Sequence, residues 1–381
     1  MLHGMDILPD LPGGQPIKGR GAVSNPTGRF EREVRQRTDD GWQHPTPDPA
    51  KEKSPSSAAP RPRTHILVDA TRTALTRNSS PDIPFDRSIN PYRGCEHGCV
   101  YCFARPTHAY LGLSPGLDFE TRILAKPDAP RLLAKELSRR AYRCRPIALG
   151  TNTDPYQPME RRLGITRGIL EVLSAFNHPV SIVTKSDAVL ADRELLADMA
   201  ARRLAKVYLS VTTLDNELAR KLEPRAAAPA KRLAAVRALR DAGIPAGVMV
   251  APVIPALTDA EMETILAAAA DAGATEAGYI LLRLPLEVKD LFTEWLHAHY
   301  PDRARKVLSL VRDTRGGQLN DAAFGRRMRG NGPYAALIAA RFEVAVRRLG
   351  LAHEKAREGM TGLDTSRFAP PTPAPRQLAL F

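Results

Sequence analysis

The chain is short of cysteine, with four in 381 residues. So few thiols make no disulfide framework, and in a reducing compartment clustered thiols read as metal ligands. Long apolar runs are missing too. No stretch of about 18 apolar residues exists, so no membrane-spanning helix is expected. The N-terminus, with Asp6, Asp10 and several Gly and Pro, lacks the apolar core of a signal peptide, so a soluble, cytoplasmic protein is expected. Neither a G-x-G-x-x-G fingerprint nor a P-loop lysine occurs, which argues against nucleotide-binding sheets of those kinds. Apolar periodicity is absent from residues 1–62, where Pro, Gly, Ser and charges dominate, and from the Pro-rich tail 359–381. Both are expected to be disordered.

What cysteine there is lies close together. Cys95, Cys99 and Cys102 fall within eight residues, spaced C-x3-C-x2-C between Gly94 and Phe103. Thiolates are soft ligands that select iron–sulfur clusters, zinc or Cu(I). Glycine lets such a loop wrap its sulfurs around one centre. Three ligands leave one metal corner free, whereas a closed structural site wants four. Zinc remains open at this point, with Cys144, His97 or His108 as the fourth ligand. Zinc loops, however, usually supply paired cysteines with a second pair far off.

From Ser88 onward short apolar runs alternate with amphipathic helical windows. Strands are expected at Ile147–Gly150, Pro179–Thr184, Val207–Val211, Ala246–Ala251 and Ala277–Leu282. Helices are expected near Ala129–Tyr142, Thr166–Phe176, Asp192–Arg203, Ala230–Ala242, Asp259–Ala272 and Val288–His297. A further strand begins near His65–Val68. The alternation means βαβ units and a parallel sheet, and the nearly continuous apolar strands fit burial on both faces. Six units suggest a partial (β/α)6 barrel of the TIM type, with an open doubly wound sheet as the alternative. In a barrel the active site sits at the carboxyl ends of the strands.

The net charge of +13 is uneven. Between Arg303 and Arg357 stand 13 Lys/Arg against 4 Asp/Glu. Such a field favours polyanions, nucleic acid among them, although a solvated basic face has the same composition. A helix is expected at Pro333–Leu349, after a basic turn at Arg326–Pro333.

The cysteine spacing, the aromatic Tyr101 just before the last cysteine and the six βα units resemble the radical S-adenosylmethionine (SAM) superfamily. Two segments, Asn90–Arg105 and Gly150–Glu160, are similar to the branch containing spore photoproduct lyase. The resemblance covers roughly residues 85–311, which it implies are the core barrel. Residues 312–358 then form a basic helical extension. It implies that Cys95, Cys99 and Cys102 hold three irons of a 4Fe–4S cluster, while SAM chelates the fourth. An electron from the cluster, supplied by a flavodoxin- or ferredoxin-like reductant, would split SAM to a 5′-deoxyadenosyl radical that abstracts hydrogen. The substrate is open, and the photolyase-like branch suggests nucleic acid and DNA repair. The reading of another class is a zinc-stabilised nucleic-acid-binding protein without catalysis.

The resemblance also assigns the SAM contacts. Tyr101 is expected near the adenine. Asn152, Thr153 and Asp154 replace the commoner Gly-Gly-Glu at the amino group, although Asp-Pro is also a turn initiator. Lys185 can meet the carboxylate as a point charge, Ser210 a ribose hydroxyl, and Ala251 lets adenine approach the backbone. On the substrate side stand Tyr156, Tyr279 and Arg283. Cys144 is a candidate hydrogen donor because photoproduct lyases use a cysteine that way. Its flanking Arg143 and Arg145 would lower its pKa, but it precedes the second strand, at the end opposite the expected site.

Overall fold

The computed structural model of the chain describes residues 16–32, 62–353 and 362–371. The strands in chain order are β1 (His65–Val68), β2 (Leu75–Arg77), β3 (Arg87–Ile89), β4 (Tyr92–Arg93), β5 (Arg122–Ala125), β6 (Ile147–Leu149), β7 (Val180–Thr184), β8 (Ala205–Ser210), β9 (Ala246–Val253), β10 (Glu276–Leu281) and β11 (Ala352–His353). The α-helices are α1 (Asp118–Thr121), α2 (Ala129–Leu137), α3 (Glu160–Leu163), α4 (Ile165–Ala175), α5 (Arg193–Ala201), α6 (Asn216–Leu222), α7 (Pro229–Asp241), α8 (Met262–Asp271), α9 (Val288–His299), α10 (Pro301–Asp313) and α11 (Gly332–Arg348).

Eight strands form one sheet in the order β11-β10-β9-β8-β7-β6-β3-β2. Its pairs are parallel except β2 with β3. Sequential strands lie side by side, as βαβ units require. The sheet has two edges, β2 and β11, so the described residues form an open α/β sheet. Strands β1, β5 and β4 make a separate small sheet. The strand expected at His65–Val68 belongs there, with an exposed outer face.

The helices follow from their apolar stripes. Ile165, Ile169, Leu170 and Leu173 of α4 are buried at one-turn spacing, as a core-facing helix requires. They join Ile147, Leu149, Val180 and Ile182 of the strands in the main core. Helix α2 stops at Leu137 rather than running to Tyr142. Ser138, Arg139 and Arg140 are all exposed, so another turn would bury nothing. The basic extension joins the same core, through Ile338, Phe342 and Val346 of α11, and Arg341 pairs with Glu263 of α8 at 2.7 Å.

Part of the N-terminal arm is ordered, contrary to expectation. Residues 16–32 lie across the cysteine loop, with Ala22 and Val23 buried. The Gly21 and Ala22 amides donate to the Glu120 carboxylate at 3.0 and 2.8 Å. A Cβ at Gly21 would come within 1.8 Å of the Gly98 carbonyl oxygen, so only glycine allows this approach. The order comes from bonds to distant residues, which no periodicity records. Residues 1–15 and 33–61 lie outside the described residues. In the Pro-rich tail, residues 362–371 dock as well. Phe368 packs against Tyr142 and Phe176, and Asp364 pairs with Arg203. Residues 359–361 and 372–381 lie outside the described residues.

No helix among the described residues is long and apolar enough to cross a membrane.

Candidate active site

Each element of the site stands at the carboxyl end of a parallel strand. The cysteine loop follows β3 by way of β4, Asp154 follows β6, Lys185 follows β7, Ser210 ends β8 and Arg283 follows β10. Ala251 lies near the end of β9.

The loop is shaped by a buried ion pair. Arg105 and Glu120, both fully buried, meet at 2.5 Å. Arg105 also donates to the carbonyls of Cys99 at 2.9 Å and Gly98 at 3.1 Å. Gly98 has a left-handed φ of +69°, and a Cβ there would stand 2.7 Å from a Glu120 carboxylate oxygen. Cys95 and Cys99 are buried and Cys102 is partly so. Burial pushes all three thiols up, and their mutual repulsion as thiolates adds to it for Cys95 and Cys99. Thiolates in this setting need a cation to compensate them, because a buried charge is costly unless it is paired or coordinates a metal. The donor set, three soft sulfurs on one loop, fits an iron–sulfur group with one open corner.

Beside the loop the polar groups converge. Lys185 Nζ donates to Ser210 Oγ at 2.9 Å and to the Ala251 carbonyl at 3.5 Å, and it lies 5.9 Å from the Tyr101 ring centroid. Ser210 Oγ donates to the same carbonyl at 3.1 Å. Tyr101, Lys185, Ser210 and Ala251 are therefore brought together.

Asp154 is bound into the framework. Its carboxylate accepts from Thr184 Oγ1 and the Lys185 amide, both at 2.7 Å, and from the Tyr156 amide at 2.9 Å. His97 Nδ1 lies 3.3 Å away, without the alignment of a hydrogen bond. Burial pushes the Asp154 pKa upward, but the neighbouring His97 and the donated bonds outweigh it and leave it at about 2. Asp154 thus ties the cysteine loop to the ends of β6 and β7. Thr153 is likewise consumed by the framework, its hydroxyl donating to the Tyr92 carbonyl at 2.9 Å. The Asn152 amide donates to Asn90 Oδ1 at 3.2 Å.

Tyr156 is buried, and its hydroxyl donates to Asp192 at 2.9 Å. It lines a cavity of about 310 Å³ with His97, Ser186, Arg225 and Lys231. Lys185, Ser210 and Ala251 do not line that cavity. Tyr279 packs against Phe342 of α11, 4.7 Å between centroids, and so faces the helix layer. Cys144 sits before β6, at the amino ends of the strands, away from the loop. Its pKa is pushed up to about 12 by burial, with Arg87 opposing, which reverses the expected sign. Arg145 points to Asp86 and Arg143 to backbone carbonyls, so neither compensates the thiol.

Sequence reasoning missed a buried cluster under Tyr101. Glu223 accepts hydrogen bonds from Tyr101, from Thr212 and from Arg232, and Glu223 and Arg232 are each about 1% exposed. Burial raises the Glu223 pKa, but Arg232 and Lys185 more than reverse this. One signal was present. Arg232 occupies the stripe of Ala235, Val236 and Leu239 on α7, where a charge is out of place without a partner.

A family model described as the Radical SAM superfamily matches residues 89–269, which contain all three loop cysteines, Lys185, Ser210 and Ala251. An uncharacterized protein of Mycobacterium tuberculosis is 40% identical over 232 residues, covering 60% of this chain and 68% of that one. The chain belongs to the radical SAM superfamily. An uncharacterized protein of Methanocaldococcus jannaschii is 29% identical over 174 residues, covering 45% of this chain and 62% of that one. Among solved structures, spore photoproduct lyase complexed with dinucleoside spore photoproduct aligns with this radical SAM chain at a TM-score of 0.54 and 19% identity. The alignment covers 76% of this chain and 81% of the lyase. A mutant of that lyase with bound AdoMet and the same dinucleoside product aligns at a TM-score of 0.54 and 17% identity. At these identities the likeness is one of fold.

Proposed function

We propose that this superfamily member is an enzyme in which Cys95, Cys99 and Cys102 hold a 4Fe–4S cluster and Tyr101, Lys185, Ser210 and Ala251 bind SAM. The observation that carries the reading is the convergence of Lys185 Nζ, Ser210 Oγ and the Ala251 carbonyl beside three cysteines of one loop, two of them buried. When bound, cluster and SAM supply hydrogen-atom abstraction by a 5′-deoxyadenosyl radical. The chain's own residues bind and orient. Lys185 offers a point charge to the SAM carboxylate. Asp154 fixes the backbone from which Lys185 projects, and Glu223 with Arg232 fixes Tyr101. The Arg105–Glu120 pair sets the loop, and residues 16–32 cover it from water. The one-electron donor is of flavodoxin or ferredoxin type. A nucleic-acid substrate is supported by the fold likeness to a lyase solved with a dinucleoside product and by the arginine-rich segment after α10.

The zinc reading is less well supported. Among the described residues no three His, Cys, Asp or Glu side chains close on a single ion. A four-iron cluster gives each cysteine its own iron, so its ligands stand farther apart than those of one zinc. The test is anaerobic reconstitution with iron and sulfide. The wild type is expected to turn brown with about four irons per chain, and Cys99→Ala to lose that colour. A colourless, zinc-loaded wild type would refute the proposal.

A further inference from the structure

The segment after α10 folds back over the carboxyl end of β10 and builds a corner dense in guanidinium groups. Arg315, 2% exposed, is its latch. It donates to the carbonyls of Leu281 and Leu282 at 3.0 and 2.6 Å, and to those of Arg326 and Arg327 at 2.9 and 3.0 Å. The Leu281 amide in turn donates to the Met328 carbonyl at 2.9 Å. Arg283 thus stands beside Arg315 and Arg327 at one strand end. Among the described residues two carboxylates lie near them, and both are engaged. Asp82 takes Arg327 through both oxygens, at 2.5 and 2.7 Å, and Asp321 takes Arg326 at 2.9 Å.

Arg283 is left without an acid. Among the described residues no carboxylate pairs with it. Its one side-chain hydrogen bond to the described residues is from Nη1 to the Met328 sulfur at 3.5 Å, a weak acceptor. Its Nε is buried without a partner among the described residues, as is Arg315 Nε beside it. Burial and the neighbouring Arg327 both work against its charge, and only Asp82 opposes them. A half-buried guanidinium with spare donors and no anion is costly unless an anion arrives from outside. The group stands over the ring of Phe103, 5.3 Å from its centroid. Phe103 is 44% exposed and directly follows Cys102, so the corner opens to solvent next to the cysteine loop.

We infer that Arg283 is the anion-contacting residue of a substrate subsite that takes a phosphate group beside the cysteine loop. Phosphate fits better than a single carboxylate because the Arg315 and Arg327 cations beside Arg283 suit its higher charge. The inference rests on the proposed radical chemistry only for the word substrate; the site itself is a binding site with or without the cluster. The same chemistry serves a phosphomonoester of a small molecule or a phosphodiester of nucleic acid.

Equilibrium dialysis of the reconstituted protein against radiolabelled inorganic phosphate tests it. Arg283→Met keeps the packing on Phe103 and removes the charge, and is expected to weaken binding about tenfold or more, the loss of a charge-assisted pair. Arg283→Lys keeps the charge without the fork, so weaker binding is expected there as well. It serves as the test if the methionine variant fails to fold by circular dichroism. Arg139→Gln, an exposed control before β6 with the same change in net charge, is expected to bind like the wild type. Wild-type binding by both Arg283 variants, or an equal loss in Arg139→Gln, would overturn the inference. Competition by thymidine monophosphate and by a dithymidine phosphodiester then separates the two sources. Iron content and 5′-deoxyadenosine release are read in parallel. Their failure with Arg283-dependent phosphate binding intact would sink the radical reading and leave the subsite standing.

Discussion

Replacing Glu223 with Ala is expected to cost about 3–5 kcal/mol of folding free energy, the range for removing one partner of a buried ion pair. The structure sets that scale. Glu223 and Arg232 are each about 1% exposed in their side chains, so water cannot replace the lost charge. The substitution also takes an acceptor from the Tyr101 and Thr212 hydroxyls, although they keep each other at 3.3 Å and Thr212 keeps the Ala251 carbonyl at 3.1 Å. Against a total stability of roughly 5–15 kcal/mol this is a large fraction. Urea denaturation at equal iron content measures it. The double variant Glu223→Ala/Arg232→Met removes both charges and is expected to recover more than half of the loss, since a buried pair exchanged for apolar groups is often neutral. A pH series gives the same pair a second reading. The Glu223 pKa lies at about 2 in the folded chain against an ordinary 4.5, so protons favour the unfolded chain. The stabilisation is therefore complete above about pH 4.5 and fades as the pH falls toward 2. A loss below about 1 kcal/mol in Glu223→Ala, or a double variant as unstable as the sum of the two single ones, would refute the reasoning.

Lys185→Met is expected to raise the dissociation constant for SAM about 10- to 150-fold, the worth of a hydrogen bond to a charged group, with the visible absorbance of the cluster unchanged. Equilibrium binding to the reconstituted protein checks it, and an affinity within twofold of the wild type contradicts the assignment. Gly21→Val places a side chain where even a Cβ meets the Gly98 carbonyl at 1.8 Å, so residues 16–32 must lift from the loop. Faster bleaching of the brown colour in air is expected, and a bleaching rate equal to the wild type would show that the segment does not shield the loop.

Local chemistry was the part most legible in the sequence. The three cysteines are close in sequence, so their spacing already carried the metal reading. Lys185, Ser210 and Ala251 were legible at one remove, because a parallel sheet brings successive strand ends together whatever lies between them. Thr153 and Asp154 were named as SAM contacts, and the bonds they make in the structure are to the Tyr92 carbonyl and the Lys185 amide. A polar residue after a strand serves the backbone as readily as a ligand, and those partners, far off in sequence, leave no local pattern. Residues 16–32 and the Glu223–Arg232 pair depend on contacts between distant, irregular segments, which leave no period. Cys144 failed on sign, since neighbouring arginines in sequence point away from it and burial decides its pKa. The short strands β2, β4 and β11, of two or three residues, exist by pairing with the longer ones and have no pattern of their own.

The most direct test of the central claim is whether the reduced, reconstituted protein cleaves SAM. Under anaerobic conditions with a strong one-electron reductant, release of 5′-deoxyadenosine is expected from the wild type and not from Cys99→Ala. A wild-type protein that carries about four irons and a bound, reducible cluster yet releases no 5′-deoxyadenosine above the level of Cys99→Ala would contradict the account.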